Sequence, residues 1–366
     1  MTDTVGDICR TLEKIADPAL AEAWDNVGLL AGDALAKTDK LLLTIDLTEP
    51  VVRQARRLGC GMVMAYHPPI LKPITRITAR QSPALWRATS AGISIYSMHT
   101  ALDAAPGGTN DVLARACGLR DPQPLTPAER SDFAKVVVFL PEADLEKVSQ
   151  AAFDAGAGHI GNYSHCSFRG AGLGTFQGES GARPTIGRVG KLEEVPEYRL
   201  EVVASRGRLA EIIAAIRRAH SYEVPAIDIY PLELYPASTG MGRIGLLDRP
   251  VSLPALVARL KKTFGLRNLL VADSGRRRLA RLACGAGSCG SMLSAAAAAR
   301  AEAFVTGELR HHDALLAKRL GVTAICLGHW TSERKTLAVL ARRIARAQPG
   351  LKCIVSTADR QPLAIV

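Results

Sequence analysis

Gly61-Met-Val-Met-Ala-Tyr66 is an unbroken apolar run that stops at His67 and the proline pair Pro68-Pro69. A strand with one wet face alternates apolar and polar residues. A continuous run instead predicts a strand buried on both sides, as in parallel sheets covered by helices. The same style recurs on either side: Lys40-Leu-Leu-Leu-Thr-Ile-Asp46 and Gly92-Ile-Ser-Ile-Tyr-Ser97 also read as buried strands. Residues 4–16, 49–58, 82–90 and 109–117 carry helical patterns, the first with Val5, Ile8, Leu12 and Ile15 at helical spacing. Strands separated by helices in this way predict a largely parallel, doubly covered sheet.

The style then changes. Asp121-Pro-Gln-Pro-Leu-Thr-Pro127 is proline-rich and polar, which predicts a linker. Residues 133–232 read as strand 134–140, helix 142–155, two short strands with glycine-rich turns over 160–178, strand 198–204, helix 207–219 and strand 224–231. That β-α-β-β-β-α-β order fits a small ferredoxin-like α+β module. Pro236 to Gly245 reads as a second loop. Residues 251–366 return to the first style, with helix 253–263, strands 268–272 and 279–284, helix 289–301, strand 303–306, helix 312–319, strand 323–328, helix 332–346 and strand 351–355. The expected fold class is α/β: a two-lobed α/β body, lobes 1–130 and 236–366, interrupted by a ferredoxin-like α+β domain at 131–235.

Composition narrows the function classes. The chain has 366 residues, 48% of them hydrophobic and 22% charged, an ordinary globular balance. Its net charge is +11, but residues 251–350 hold 17 basic and 5 acidic residues, so the remainder is close to neutral. The apolar runs, such as 292–299, are too short to span a bilayer, so no membrane association is expected. The first residues, Met1-Thr-Asp-Thr-Val-Gly-Asp7, lack the basic and apolar regions of a secretory signal, and a cytoplasmic location is expected. Eight cysteines occur without a C-x-x-C pair, which predicts reduced packing residues rather than a cysteine-built zinc site.

The chemistry gathers at strand ends. His67 follows strand 61–66, His99 comes two residues after strand 92–97, Glu308 follows strand 303–306, and His329 follows strand 323–328. Open α/β sheets place ligands at the carboxyl ends of their strands. His99 and Asp103 are four residues apart, as are His329 and Glu333, a spacing that aims two side chains the same way on a helix. Imidazole with carboxylate suits zinc, iron, manganese or cobalt rather than calcium. The pairs also read as plain helix-surface ion pairs. The glycine-rich segments are less specific. Ala105-Pro-Gly-Gly-Thr-Asn-Asp111 opens a helix and can face an anion or simply cap it. Gly285-Ala-Gly-Ser-Cys-Gly290 matches the spacing of a dinucleotide-binding turn but lies late in the chain, away from the usual start of such a sheet.

Taken together, these segments resemble a known family. Ala23-Trp-Asp-Asn-Val-Gly-Leu29, Tyr66-His-Pro-Pro-Ile70, His99-Thr-Ala-Leu-Asp103, Gly107-Gly-Thr-Asn-Asp111, Gly242-Arg-Ile-Gly245, Thr306-Gly-Glu-Leu-Arg-His-His312 and Gly328-His-Trp-Thr-Ser-Glu333 are similar to the successive motifs of the Nif-three-like dinuclear metal centre hexameric proteins, often labelled GTP cyclohydrolase 1 type 2 homologues. Ala155-Gly-Ala-Gly158, Gly161-Asn-Tyr-Ser164 and His220-Ser-Tyr-Glu223 resemble the CutA- or PII-like insert of the longer members. The resemblance implies a homo-hexamer with a two-metal site between two lobes. It implies His67 and Asp103 as ligands of one ion, His329 as a ligand of the other, and Glu333 as the bridging carboxylate. Many members have His-His-Pro where this chain has Tyr66-His-Pro, so one ligand of the second metal is replaced and one or two divalent ions per subunit are expected.

With a metal at that place, Glu308 and His311 or His312 are candidate proton carriers, and His99 stands behind the ligands or faces substrate. His220 reads as a packing residue of the insert. Two functions follow: a metal-dependent hydrolase of a nucleotide-like or phosphate-bearing substrate, or a non-enzymatic hexameric adaptor that binds metal or ligand. The basic C-terminal stretch suggests a small anionic ligand. Nucleic acid, through Arg276-Arg-Arg278, Arg281, Arg342, Arg343 and Arg346, is the weaker partner class.

Overall fold

Met62–Ala65 is a central strand with all four residues buried, as its apolar run requires. Its sheet has the order Gly28–Ala31, Ser94–Ser97, Met62–Ala65, Lys40–Thr44, Lys352–Val355. The last four strands are parallel and the first is antiparallel. Side chains alternate between two covered faces. Leu42, Val63 and Ile95 pack under the helices Glu49–Leu58 and Pro83–Ser90. Leu41, Leu43, Met62 and Met64 pack under Val5–Ile15 and the long helix His329–Ala347. The chain's last strand thus completes the sheet begun by its first hundred residues.

The computed structural model describes residues 3–128, 133–232 and 238–364. Two compact units result: the body, from the described residues up to Ala128 and from Ser238 onward, and the insert between them. The boundaries expected at 130/131 and 235/236 fall outside the described residues.

The body's second sheet runs Leu270–Ala272, Thr323–Cys326, Ala303–Glu308, Leu279–Ser288, Gly240–Val251, Leu119–Pro127. Only Thr323–Cys326, Ala303–Glu308 and Leu279–Ser288 are mutually parallel, and the outer strands are antiparallel. Two expectations are corrected here. The expected linker at 121–127 and residues 240–245 of the expected loop at 236–245 form paired strands. Leu119–Pro127 is an edge strand, where proline's missing N–H need not break a ladder. Its partner needs glycine, because a Cβ on Gly240 would lie 2.3 Å from the Thr126 carbonyl oxygen. The 285–290 segment is likewise no loop: Leu279–Ser288 runs through it, and a short 3-10 turn at Gly290–Met292 precedes Leu293–Ala298. The helix His99–Ala104 was not legible, and His329–Ala347 begins three residues before the expected start at 332.

The insert is a four-stranded antiparallel sheet in the order Ser167–Gln177, Leu192–Ser205, Phe133–Leu140, Ile227–Pro231, with helices Leu145–Asp154 and Leu209–Ala219 on one face. Its order is β-α-β-β-α-β, the ferredoxin-like arrangement, with one strand fewer than expected. The two short strands expected over 160–178 are a single strand, Ser167–Gln177. Glycines at 170, 172 and 174 leave the middle of one of its faces, between Phe168 and Phe176, without side chains, which hides the alternation. No described helix is long and apolar enough to cross a membrane.

Candidate metal centre

Three strand ends and one helix start converge in the body. His67 follows Met62–Ala65, Asp46 follows Lys40–Thr44, and Glu308 ends Ala303–Glu308. His329 opens the long helix, and Glu333 stands one turn further along it. The Glu333 carboxylate is buried and lies between two imidazoles. Its Oε1 is 3.1 Å from His329 Nε2, and its Oε2 is 3.4 Å from His67 Nε2. The far nitrogen of each ring is also held. His67 Nδ1 is 2.9 Å from Asp46 Oδ1, and His329 Nδ1 is 3.0 Å from Glu308 Oε1. A carboxylate on Nδ1 fixes the ring and raises the basicity of Nε2, the pattern found behind metal-binding histidines.

Electrostatics follow from this chain of groups. Burial opposes charge on His67, but Asp46 and Glu333 outweigh it and raise its pKa to about 10. Glu333 does the same for His329, raising it to about 9 against the cost of burial. Burial would raise Glu333, yet the two imidazoles hold it below its usual value. A carboxylate this buried is tolerated only because positive charge faces it.

The donor atoms fit a metal ion. His67, His329 and Glu333 each offer one ligand atom, all within 4.8 Å of one another. Glu333 Oε2 is buried and makes no hydrogen bond. Space in front of the donors is kept by Gly287: a Cβ there would lie 2.8 Å from Glu333 Oε1 and 3.3 Å from His329 Nε2. Gly287 has φ +73°, and its N–H donates to Ser332 Oγ at 2.9 Å, so the backbone is pinned in this position. The mixed nitrogen and oxygen donor set can hold zinc, iron or manganese.

The other expected residues are placed differently. Asp103 lies outside the three-residue cluster. Its Oδ1 accepts a hydrogen bond from the Tyr66 hydroxyl, both groups buried. Burial and the nearby Glu333 charge raise Asp103 to about 6, and burial with the Asp103 charge pushes Tyr66 well above its usual range. His99 packs edge-on against His67, ring centres 5.3 Å apart, with its Nδ1 2.8 Å from Asp25 Oδ1. Its φ of +24° is unusual for a non-glycine residue. Burial opposes charge on Asp25, but the hydrogen bonds from His99 and Thr100 hold it at about 2. His311 and His312 are exposed at the start of His311–Arg319 and meet edge to face, ring centres 5.4 Å apart. Among the described residues, no hydrogen bond joins either to the cluster. Asp46, Asp25 and Gly287 were not singled out by sequence reasoning. Asp46 was findable by the strand-end rule, whereas Asp25 lies in a loop 74 residues from His99.

The glycine-rich Gly107–Asp111 segment braces the site rather than cradling an anion. Asn110 donates to the Asp103 carbonyl at 3.0 Å and accepts from the Ala286 N–H at 2.9 Å. Asp111 takes a two-point bond from the buried Arg243, at 2.7 and 3.0 Å. The basic clusters lie elsewhere. Arg276–Arg278 precede Leu279, eight residues and so about 25 Å along the strand from Gly287. Arg342, Arg343 and Arg346 occupy the far end of the 19-residue helix that starts at His329. Around the cluster stand Asp25, Asp46, Asp103, Glu308 and Glu333, a field that draws a cation.

The site's motifs agree with comparisons to known proteins. Residues 3–362 match the family model described as Duf34/NIF3 (NGG1p interacting factor 3). A Mycobacterium bovis protein named GTP cyclohydrolase 1 type 2 homolog is 37% identical, covering 98% of this chain and 96% of that protein. A Bacillus subtilis protein of the same name is 31% identical, with 98% of each covered. Among solved structures, the Bacillus cereus protein related to NIF3 superposes with a TM-score of 0.89 at 30% identity, covering both chains fully. Match, fold and motif order lead to one conclusion: the chain belongs to the Duf34/NIF3 family.

Proposed function

We propose that this protein is a metal-dependent hydrolase of a nucleotide-like or phosphate-bearing substrate. The Glu333 carboxylate set between two imidazole Nε2 atoms is the observation that carries the reading. His67, His329 and Glu333 would hold the first divalent ion, and Asp103 would serve as a further ligand where a second is bound. Such an ion supplies Lewis acidity, stabilising negative charge that develops on a substrate oxygen. Asp46 and Glu308 hold the Nδ1 protons, so the Nε2 atoms of His67 and His329 stay directed at Glu333. Glu308 is half-exposed, so its carboxylate can exchange protons with solvent while touching His329. Asp25 fixes His99 through Nδ1 and leaves Nε2 to accept or donate a proton. His311, exposed at the start of its helix and with no hydrogen bond to the cluster among the described residues, is a less direct proton carrier than either.

The name carried by the mycobacterial and Bacillus relatives makes GTP the first nucleotide to test. A homo-hexamer, as the motif resemblance implies, and a cytoplasmic location are part of the same proposal, with the assembly read by sedimentation. Metal analysis of protein purified without added metal should find a divalent ion that Glu333→Ala and His329→Ala lose. Metal-loaded protein should then hydrolyse GTP or a related nucleotide, and His329→Ala should not. Unchanged metal content in both variants removes the site; retained metal without turnover of any nucleotide selects the non-enzymatic adaptor instead.

A further inference from the structure

The insert has an open groove on the sheet face opposite its helices. Val136, Val138, Leu200 and Val202 turn inward onto Val148, Ala152, Ile212 and Ile216. Residues one step along in each strand therefore face away. In register, Gly170 sits opposite Arg199, Gly172 opposite Glu197, and Gly174 opposite Val195. Three glycines at alternate positions of Ser167–Gln177 make a strip of bare backbone on that face. The loop 182–186 and residues 222–224 rise beside it, enclosing a cavity of about 680 Å³. That volume suits a small-molecule site, and apolar walls with a few converging polar groups are its usual lining.

The polar groups define what fits. Tyr222 donates its hydroxyl proton to Glu197 Oε1 at 2.9 Å, which fixes that carboxylate within the cavity. Glu197 Oε2 lies over Gly174, where a Cβ would be 2.2 Å away. Any residue but glycine at 174 would displace the carboxylate. Arg183, Arg199 and Glu223 also line the cavity; Arg199 Nε is 2.9 Å from Glu201 Oε1, and the Arg183 backbone N–H donates to Glu223 at 2.9 Å, which leaves the Arg183 side chain as the cation toward which a phosphate would turn. A flat floor next to a fixed carboxylate suits a planar ring presenting two adjacent N–H donors, because a carboxylate accepts both at once. A guanine edge carries that pair, one ring N–H and one exocyclic amine; an adenine edge carries one donor beside an acceptor.

We propose that this groove is a binding site for a guanine nucleotide, with the base on the Gly170–Gly174 floor, its two N–H donors on Glu197, and its phosphate toward Arg183. The site lies wholly within the insert and stands independently of the metal centre.

Titration calorimetry of the full chain with GMP and AMP, in chelator so that the metal centre is not loaded, tests the assignment. GMP should bind at least tenfold more tightly than AMP, since both carry the same phosphate and differ at the base edge. Glu197→Gln should abolish that preference by offering one acceptor in place of two. Gly172→Val fills the groove where a Cβ meets no atom within 4 Å, so binding should vanish while the thermal transition and metal content stay unchanged. Glu333→Ala should leave GMP binding intact. The proposal is overturned if GMP does not bind, if AMP binds equally, or if Gly172→Val leaves binding intact. A change of sedimentation in Gly172→Val without GMP binding in the native chain would identify the groove as a contact between copies and overturn it as well.

Discussion

At the scale of the residue, two groups decide how open and how well ordered the candidate metal centre is. Gly287 keeps the space before Glu333 and His329 free. Gly287→Ala combines a left-handed backbone with a Cβ 2.8 Å from the carboxylate. It should destabilise the chain by about 1–2 kcal/mol and reduce metal content, read by calorimetry and metal analysis. Asp46 fixes the His67 ring without joining the cluster. Asp46→Asn should leave the fold intact and weaken metal affinity about tenfold to a hundredfold, measured by competition with a chelating dye. An unchanged affinity would show that His67 does not depend on its Nδ1 partner. His67, His329 and Glu333 were legible because strand ends and a four-residue helical spacing are local patterns. The resemblance implies Asp103 as a ligand beside His67; its bond with Tyr66, a contact across 37 positions, is one that no spacing rule reveals.

At the scale of the element, edges and ion pairs hold the body's second sheet. Arg243, in Gly240–Val251, is 1% exposed and bonds Asp111 at two points, with further bonds to the Gly240 and Gly242 carbonyls. It ties that strand to the helix Thr109–Ala116, whose Asn110 braces Asp103. Arg243→Met removes the charge while keeping bulk, and strands Asp111 without its buried partner. The expected cost is about 3–5 kcal/mol, enough to lower the melting temperature of the body by roughly 10 °C. A loss under 1 kcal/mol would mean that water replaces the guanidinium. The same strand shows why proline and glycine misled the reading of 121–127 and 240–245. Composition signalled a turn at each, but an edge strand tolerates proline, and a close backbone neighbour demands glycine.

At the scale of the whole molecule, two units carry separate cores. Heating should give two calorimetric transitions, and substitutions in the insert should move only one of them. Asp144 offers a test with a pH signature. It is buried beside the helix Leu145–Asp154, where it accepts from the Ser221 N–H and pairs with Lys147. Burial works to raise its pKa, but these partners prevail and hold it below the ordinary carboxylate value. A depressed folded-state pKa stabilises the fold above the unfolded value, near pH 4, and that contribution is lost as the pH falls through the folded value. Asp144→Asn should therefore lower the insert's transition at neutral pH by about 1 kcal/mol, with the difference shrinking on acidification below about pH 4. A difference that persists in acid would assign the effect to packing.

By itself the sequence determined the α/β class, the interruption by a ferredoxin-like module and the family, because apolar runs, helical spacing and motif order are properties of neighbouring residues. It also located three donor atoms, since the ends of buried strands meet at one edge. Only the tertiary structure decided that Glu333 lies between His67 and His329, that Asp103 accepts a hydrogen bond from Tyr66, and that the prolines at 122, 124 and 127 lie in a strand. It alone placed Arg276–Arg278 before Leu279 and Arg342, Arg343 and Arg346 at the far end of the helix that His329 opens, away from the carboxylates of the cluster. These facts rest on pairings between residues tens to hundreds of positions apart, which depend on how the chain closes on itself.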